Sequence, residues 1–127
     1  MRIMKFLGYK GLSITELLPY ISGAKKGKVF GITFDDGYEN NFTNALPILK
    51  KYGFTSSCFV VSNLIGKTNE WDQKLGAPTE KLMDHLQMQE WIKNNQEIGS
   101  HGKSHIDLTK AESIQIEDEI KIGRAHV

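Results

Sequence analysis

Two short runs carry residues whose types and spacing could do chemistry. Thr33-Phe34-Asp35-Asp36-Gly37 places two carboxylates at the end of an apolar stretch, followed by a glycine that frees the backbone to turn. His101-Gly102-Lys103-Ser104-His105 sets two imidazoles four residues apart, a spacing that lets both rings reach one ion from a tight loop or a helical turn. Each run has an ordinary reading when taken alone. An Asp-Asp-Gly turn ends many strands without function, and paired histidines in a glycine-containing loop can be plain surface residues. Taken together, Asp36, His101 and His105 make a set of one oxygen and two nitrogens. That set suits Zn²⁺ or a similar transition metal and leaves positions open for water and substrate. Asp35 is then free to act as a base, and a cation on one of two adjacent carboxylates relieves the repulsion between them.

The elements around these runs are expected to bring them to one rim. Val29–Phe34 is β-rich and stops at Asp35-Asp36-Gly37, Thr55–Val61 is a second strand, and Glu97–Ser100 is a short third one ending at His101. Between the first two, Phe42, Ala45, Leu46 and Leu49 repeat with helical spacing, Pro47 belongs near the first turn and Gly53 is placed to close the helix. Asp84 and Gln87 have capping-box spacing ahead of Met88, Trp91 and Ile92, which predicts a helix with those three on its apolar face. Thr109 and Glu112 announce a last helix with Ile116 and Ile120 one turn apart, and Ser13 with Glu16 a short one near the start. Ser62–Thr79 reads as a long loop. This alternation predicts an α/β fold with parallel strands, whose C-terminal ends are where such folds assemble active sites.

Composition narrows the function classes. The chain has 127 residues, 16 Lys+Arg against 15 Asp+Glu, 39% hydrophobic and 24% charged residues, as expected of one globular domain. Interspersed charges summing to +1 offer no broad basic face, so a nucleic-acid partner is not expected. No apolar stretch approaches the ~20 residues of a membrane-spanning helix. Lys5, Gly8 and Lys10 interrupt any signal-peptide core, which favours a cytoplasmic location. The lone Cys58 excludes an intrachain disulfide and reads as a small buried apolar residue. Trp91 reads as core, His85 as a surface residue, and Lys25, Lys26 and Lys28 as a solvated loop. Trp71 reads first as a loop anchor and second as a substrate-binding ring on which a ligand could stack.

The run Ile32–Tyr38, together with Ala45–Phe54 and Glu97–His105, resembles the polysaccharide deacetylases, the carbohydrate esterase family four or NodB-homology group. The resemblance runs from about Gly27 to Leu108, with Gly8–Ile21 similar to the segment often found upstream, so that Met1 reads as an internal methionine of a longer chain. It implies a distorted (β/α) barrel and metal-dependent hydrolysis of N-acetyl, sometimes O-acetyl, groups on a sugar or polysaccharide. It makes Asp35 the general base and Asp36, His101 and His105 the ligands of a divalent ion, Zn²⁺ by preference. A strand plus helix takes ~30 residues and a closed barrel ~250. By this arithmetic the chain is expected to supply only the N-terminal part of a barrel, incomplete at its C-terminus.

One departure lies inside the matched region: the family often has Ser or Thr directly after the first histidine, where this chain has Gly102, with Ser104 as a partial substitute brace for the loop. The family's later motifs are unmatched. These are a base-orienting arginine, pocket-lining aromatic groups and a histidine that protonates the leaving amine, all expected beyond residue 121. Residues 1–121 thus read as a partial domain of weak or no activity by itself. Residues 122–127, Ile122-Gly123-Arg124-Ala125-His126-Val127, resemble the translation of a sequencing adapter and read as a non-native tail. Among rivals, haloacid dehalogenase-type enzymes want Asp-x-Asp, which Asp35-Asp36-Gly37 does not fit, and a non-haem iron oxygenase shares the two-His, one-carboxylate set. The alternative from another class is a catalytically inactive carbohydrate-binding barrel fragment, against which stands the retention of Asp35 beside a metal set.

Overall fold

The computed structural model describes residues 1–73 and 75–125, the last four of these by backbone alone. In chain order they form α1 (Arg2–Phe6), β1 (Lys10–Leu12), α2 (Ile14–Ile21), β2 (Val29–Gly31), β3 (Thr33–Phe34), α3 (Leu46–Tyr52), β4 (Ser57–Val60), α4 (Glu70–Gln73), α5 (His85–Lys93), β5 (Glu97–Ser100) and α6 (Ser113–Ala125). His126 and Val127, the end of the segment read as a tail, lie outside the described residues.

Every strand pairing is parallel, as the alternation of elements requires: β1 with β2, and β3, β4 and β5 in that order. The two sheets share one strand. Ile32 donates its amide to Leu12 O (3.0 Å) on one side, while its carbonyl accepts from Ser57 N (3.0 Å) on the other. The run Val29–Phe34 therefore pairs with β1 in its first half and with β4 in its second. Neither α1 nor β1 was expected, because a three-residue strand and a five-residue helix are too short to show a period.

The core forms where this sheet meets α3 and α5: Leu49, Phe54, Cys58, Val60 and Trp91 are buried there with Ile32. The helix expected from Phe42 opens with a π-helical turn over Asn41–Ala45, in which Leu46 N reaches Asn41 O, five residues back. Pro47 is the cause: it has no N–H to give Thr43, and its ring would crowd that carbonyl, so the turn ahead of it widens. Gly53 closes α3 in the left-handed conformation (φ 64°).

Helix α5 begins as its sequence predicts, with Asp84 Oδ1 accepting from Gln87 N (2.8 Å) and Gln87 Oε1 accepting from Asp84 N (3.0 Å). Met88 and Trp91 are buried, but Ile92 is 55% exposed, so the apolar face is narrower than expected. At Ser13 only half of the box forms: its hydroxyl accepts from Glu16 N, while the Glu16 carboxylate turns to the Thr55 hydroxyl.

Helix α6 starts at Ser113, three residues later than Thr109 as its cap would place it. Thr109 is captured by Asp107, whose Oδ1 accepts from both its amide (3.0 Å) and its hydroxyl (2.6 Å), and Gln115 Oε1 takes the Glu112 amide instead (2.9 Å). Ile120 remains 49% exposed, and among the residues of α6 whose side chains are described the buried one is Glu119. The long loop after β4 carries α4 and two antiparallel bridges, Tyr38 to Leu82 and Thr68 to Lys81. Its ends are tied by buried Asn69, which accepts from Glu80 N (2.7 Å) and donates to Pro78 O (3.1 Å).

Candidate metal centre

Asp36 follows β3 and His101 follows β5, so the strand between them, β4, separates their backbones by two sheet spacings, about 10 Å. The side chains close that gap from above the end of β4. His101 N continues the ladder by donating to Val60 O (2.8 Å), which fixes where the first imidazole leaves the sheet. Asp36 and His105 both adopt left-handed backbone conformations (φ 68° and 57°). Aspartate and histidine tolerate that region better than most residues. Gly37, also left-handed at 78°, must be glycine: a Cβ there would lie 2.8 Å from Val60 Cγ1. A sharp turn packed directly on β4 is what aims the Asp36 carboxylate back over the sheet.

The result is a convergence of three ligand atoms within 4.8 Å of one another. Asp36 Oδ1 lies 3.3 Å from His101 Nε2 and 3.2 Å from His105 Nε2. These are ion-pair distances, yet Asp36 Oδ1 is buried and accepts no hydrogen bond among the described residues. An orphaned carboxylate oxygen facing two imidazole nitrogens is costly unless a cation lies among them, and the donor set fits a divalent transition metal.

Asp35 is exposed, and its carboxylate takes part in none of the side-chain hydrogen bonds or ion pairs of the described residues. Beneath the two aspartates, Cys58 is fully buried; burial pushes its thiol up to about 12, with Asp35 and Asp36 adding to the effect, so it stays protonated and packs as an apolar residue. Burial, a hydrogen bond to Asp72 Oδ2 (3.2 Å) and the Asp36 charge likewise hold the Tyr38 phenol above its ordinary value.

Trp71 is brought to the centre in a way its sequence position did not disclose. Carried by α4, its ring stacks on the His105 imidazole at 4.4 Å between centroids and 22° between planes, and it packs on the Val61, Leu64 and Leu82 cluster. The ring thus anchors its loop, as the first reading held, and does so on one of the candidate ligands. Beside it opens a groove of about 1060 Å³ bordered by Lys67, Trp71, Asp72, His105 and Lys110. His85 is exposed at the first turn of α5, and Trp91 is fully buried. Ser104 braces the loop less through its hydroxyl, 3.5 Å from Asn63 Nδ2, than through its amide, which donates to Glu119. Glu119 carries no ligand or catalytic signal in the sequence beyond the placement of an acid beside Ile120, within the apolar repeat of α6.

A parallel α/β sheet carrying an Asp-Asp pair and two histidines on one rim defines a class of protein, and comparison identifies it. Residues 22–125 match the family described as polysaccharide deacetylase, and the chain belongs to that family. The Bacillus subtilis (strain 168) protein YxkH is 33% identical over 110 residues, which cover 83% of this chain and 35% of that protein. The peptidoglycan-N-acetylmuramic acid deacetylase PdaA of the same organism is 33% identical over 99 residues, 77% of this chain and 32% of PdaA. Among solved structures, the Streptococcus pyogenes deacetylase PplD in complex with acetate superposes with a TM-score of 0.78 at 27% identity, covering 96% of this chain and 50% of that one. The chain spans about a third of the length of these curated relatives. No described helix is long and apolar enough to cross a membrane.

Proposed function

We propose that this chain carries the metal centre and general base of a metal-dependent deacetylase, a hydrolase acting on carbon–nitrogen bonds outside peptides. Its substrate is an N-acetylated, or O-acetylated, sugar within a polysaccharide. The sugars in the names of two relatives, N-acetylmuramic acid in peptidoglycan and poly-β-1,6-linked N-acetylglucosamine, make an N-acetylhexosamine polymer the substrate we favour. Residues 1–121 then form the N-terminal part of a distorted (β/α) barrel, a reading supported by the parallel strand order and by the 96% coverage of this chain against half of the PplD chain.

In this reading Asp36, His101 and His105 hold the ion, Zn²⁺ by the two-nitrogen, one-oxygen donor set. When bound, that ion supplies the positive charge that acidifies water and offsets the negative charge developing on the acetyl oxygen. Asp35, exposed and adjacent along the chain, takes the proton of the attacking water, because its carboxylate is the one not committed to the ion. Trp71 restrains the His105 ring by stacking and borders the open groove, where it offers an aromatic edge to a sugar.

The observation that carries the proposal is the buried Asp36 Oδ1, without a hydrogen bond and close to both imidazole nitrogens. Zinc titration by calorimetry tests it: one ion per wild-type chain, none for His101→Ala. Asp35→Asn should keep the ion and abolish any acetate release from an N-acetylglucosamine oligomer. Zinc uptake by His101→Ala at wild-type affinity refutes the ligand set, and glycan binding without acetate release by the zinc-loaded intact protein favours a binding module instead.

A further inference from the structure

Glu119 is 6% exposed, an acid at a buried position of α6. Its Oε2 accepts two hydrogen bonds of 2.9 Å, from the amides of Lys103 and Ser104. Those amides belong to the three residues between the candidate ligands His101 and His105. The opposite side of the same loop is held as well: Ser62 N donates to Gly102 O (3.1 Å) and Asn63 N to Lys103 O (2.9 Å). The peptide units between the two histidines are thus fixed from both sides, by amide donors after β4 and by one carboxylate from α6.

Gly102 fits this arrangement. Its φ is +80°, and a Cβ there would lie 3.1 Å from Glu119 Oε2, so the carboxylate approaches the loop where a side chain would otherwise stand. His105 must also hold a left-handed backbone, which few interactions of a free loop would maintain.

We propose that Glu119 is a positioning residue for the metal centre: by accepting the Lys103 and Ser104 amides it sets the loop so that both Nε2 atoms face Asp36 before any ion arrives. The proposal rests on the reading of Asp36, His101 and His105 as ligands. A chelate ordered in advance loses less conformational freedom when it binds, and partners one shell out from a metal are typically worth 10–100-fold in affinity. The loop lacks a hydroxyl at 102, and a distant helix supplies the acceptor in its stead.

The test compares wild type, Glu119→Ala, Glu119→Gln and, as a control on the exposed side of α6, Glu117→Ala. The readouts are zinc affinity by calorimetry and amide hydrogen exchange by NMR in the metal-free chain. Glu119→Ala should bind zinc about 10–100-fold more weakly and exchange the Lys103 and Ser104 amides faster, with β4 amides still protected. Glu119→Gln keeps an accepting oxygen and should recover most of the affinity, and Glu117→Ala should match wild type. Unchanged zinc affinity in Glu119→Ala, or a glutamine variant no better than alanine, overturns the proposal. If β4 loses protection in Glu119→Ala, Glu119→Asp carries the test, since it is one methylene too short to reach both amides and should show the same loss. Wild type that takes up no zinc refutes the ligand reading alone; the brace then stands or falls on whether the two amides exchange faster in the variant.

Discussion

Exchanging Asp36 for asparagine should make the metal-free chain more stable and at the same time remove its stabilisation by zinc. Without an ion, Asp36 Oδ1 is buried and unpaired with imidazole nitrogens at 3.3 and 3.2 Å. A buried group left without a hydrogen bond costs about 1–3 kcal/mol. Asparagine has nearly the same shape, tolerates the φ of 68° found here, and converts one of the two positions into an N–H donor within reach of an imidazole. The side chain is 20% exposed, so the low end applies: a gain of about 1 kcal/mol, or about 4 °C in melting temperature for a domain of this size. Zinc reverses the order. At a free concentration one hundred times its dissociation constant an ion adds about 2.7 kcal/mol to the state that binds it, roughly 10 °C, and the variant should gain almost none of this. Circular-dichroism melts at pH 8, first in EDTA and then in zinc, read both terms. A variant that melts below wild type in EDTA, or one that keeps the full zinc shift, refutes the reasoning.

Two further outcomes are expected away from the centre. Burial works to raise the Glu97 pKa, but hydrogen bonds from Thr15 Oγ1 (2.8 Å), Thr15 N (3.1 Å) and Ser57 Oγ (2.9 Å) outweigh it and hold the group below its ordinary 4.5. Its contribution to stability is therefore fully present above about pH 4.5 and lost as pH falls through the lower folded value; Glu97→Gln should flatten the urea midpoint across that acid window, and an unaltered slope there counts against the argument. Trp91 is fully buried, meets Phe34 edge-on at 6.0 Å between ring centres and donates its indole N–H to Glu97 O (3.2 Å). Trp91→Ala should cost about 3–5 kcal/mol in urea unfolding and Trp91→Phe clearly less; a loss under about 1 kcal/mol for alanine would mean the ring is not part of the core.

How far the fold could be read from the chain depended on whether a signal was local. The Asp84 box, the Gly53 stop and the strand ending at Asp35 depend on neighbours a few residues away, and all three formed as expected. The start of α6 was misplaced for the same kind of reason: Thr109 had two possible partners, and the carboxylate of Asp107, two residues back, won over the helix amides. Ile92 and Ile120 looked apolar enough to be core, but each needed a surface opposite it, and none is supplied among the described residues.

At the site, residue type and spacing alone singled out Asp35, Asp36, His101 and His105, because coordination and proton transfer demand particular atoms, and few residues supply them. The identity of these residues is a property of the chain. Their convergence is not: it required β3 and β5 to flank β4 in parallel, with a glycine turn at 37 tight enough to lie on Val60. The stack of Trp71 on His105 and the grip of Glu119 on the loop join residues 34 and about 15 positions apart in sequence through contacts that leave no periodic trace. A linear pattern records what each residue can do. Only the folded chain decides which of them meet, since proximity across strands is set by packing and register and not by spacing along the backbone.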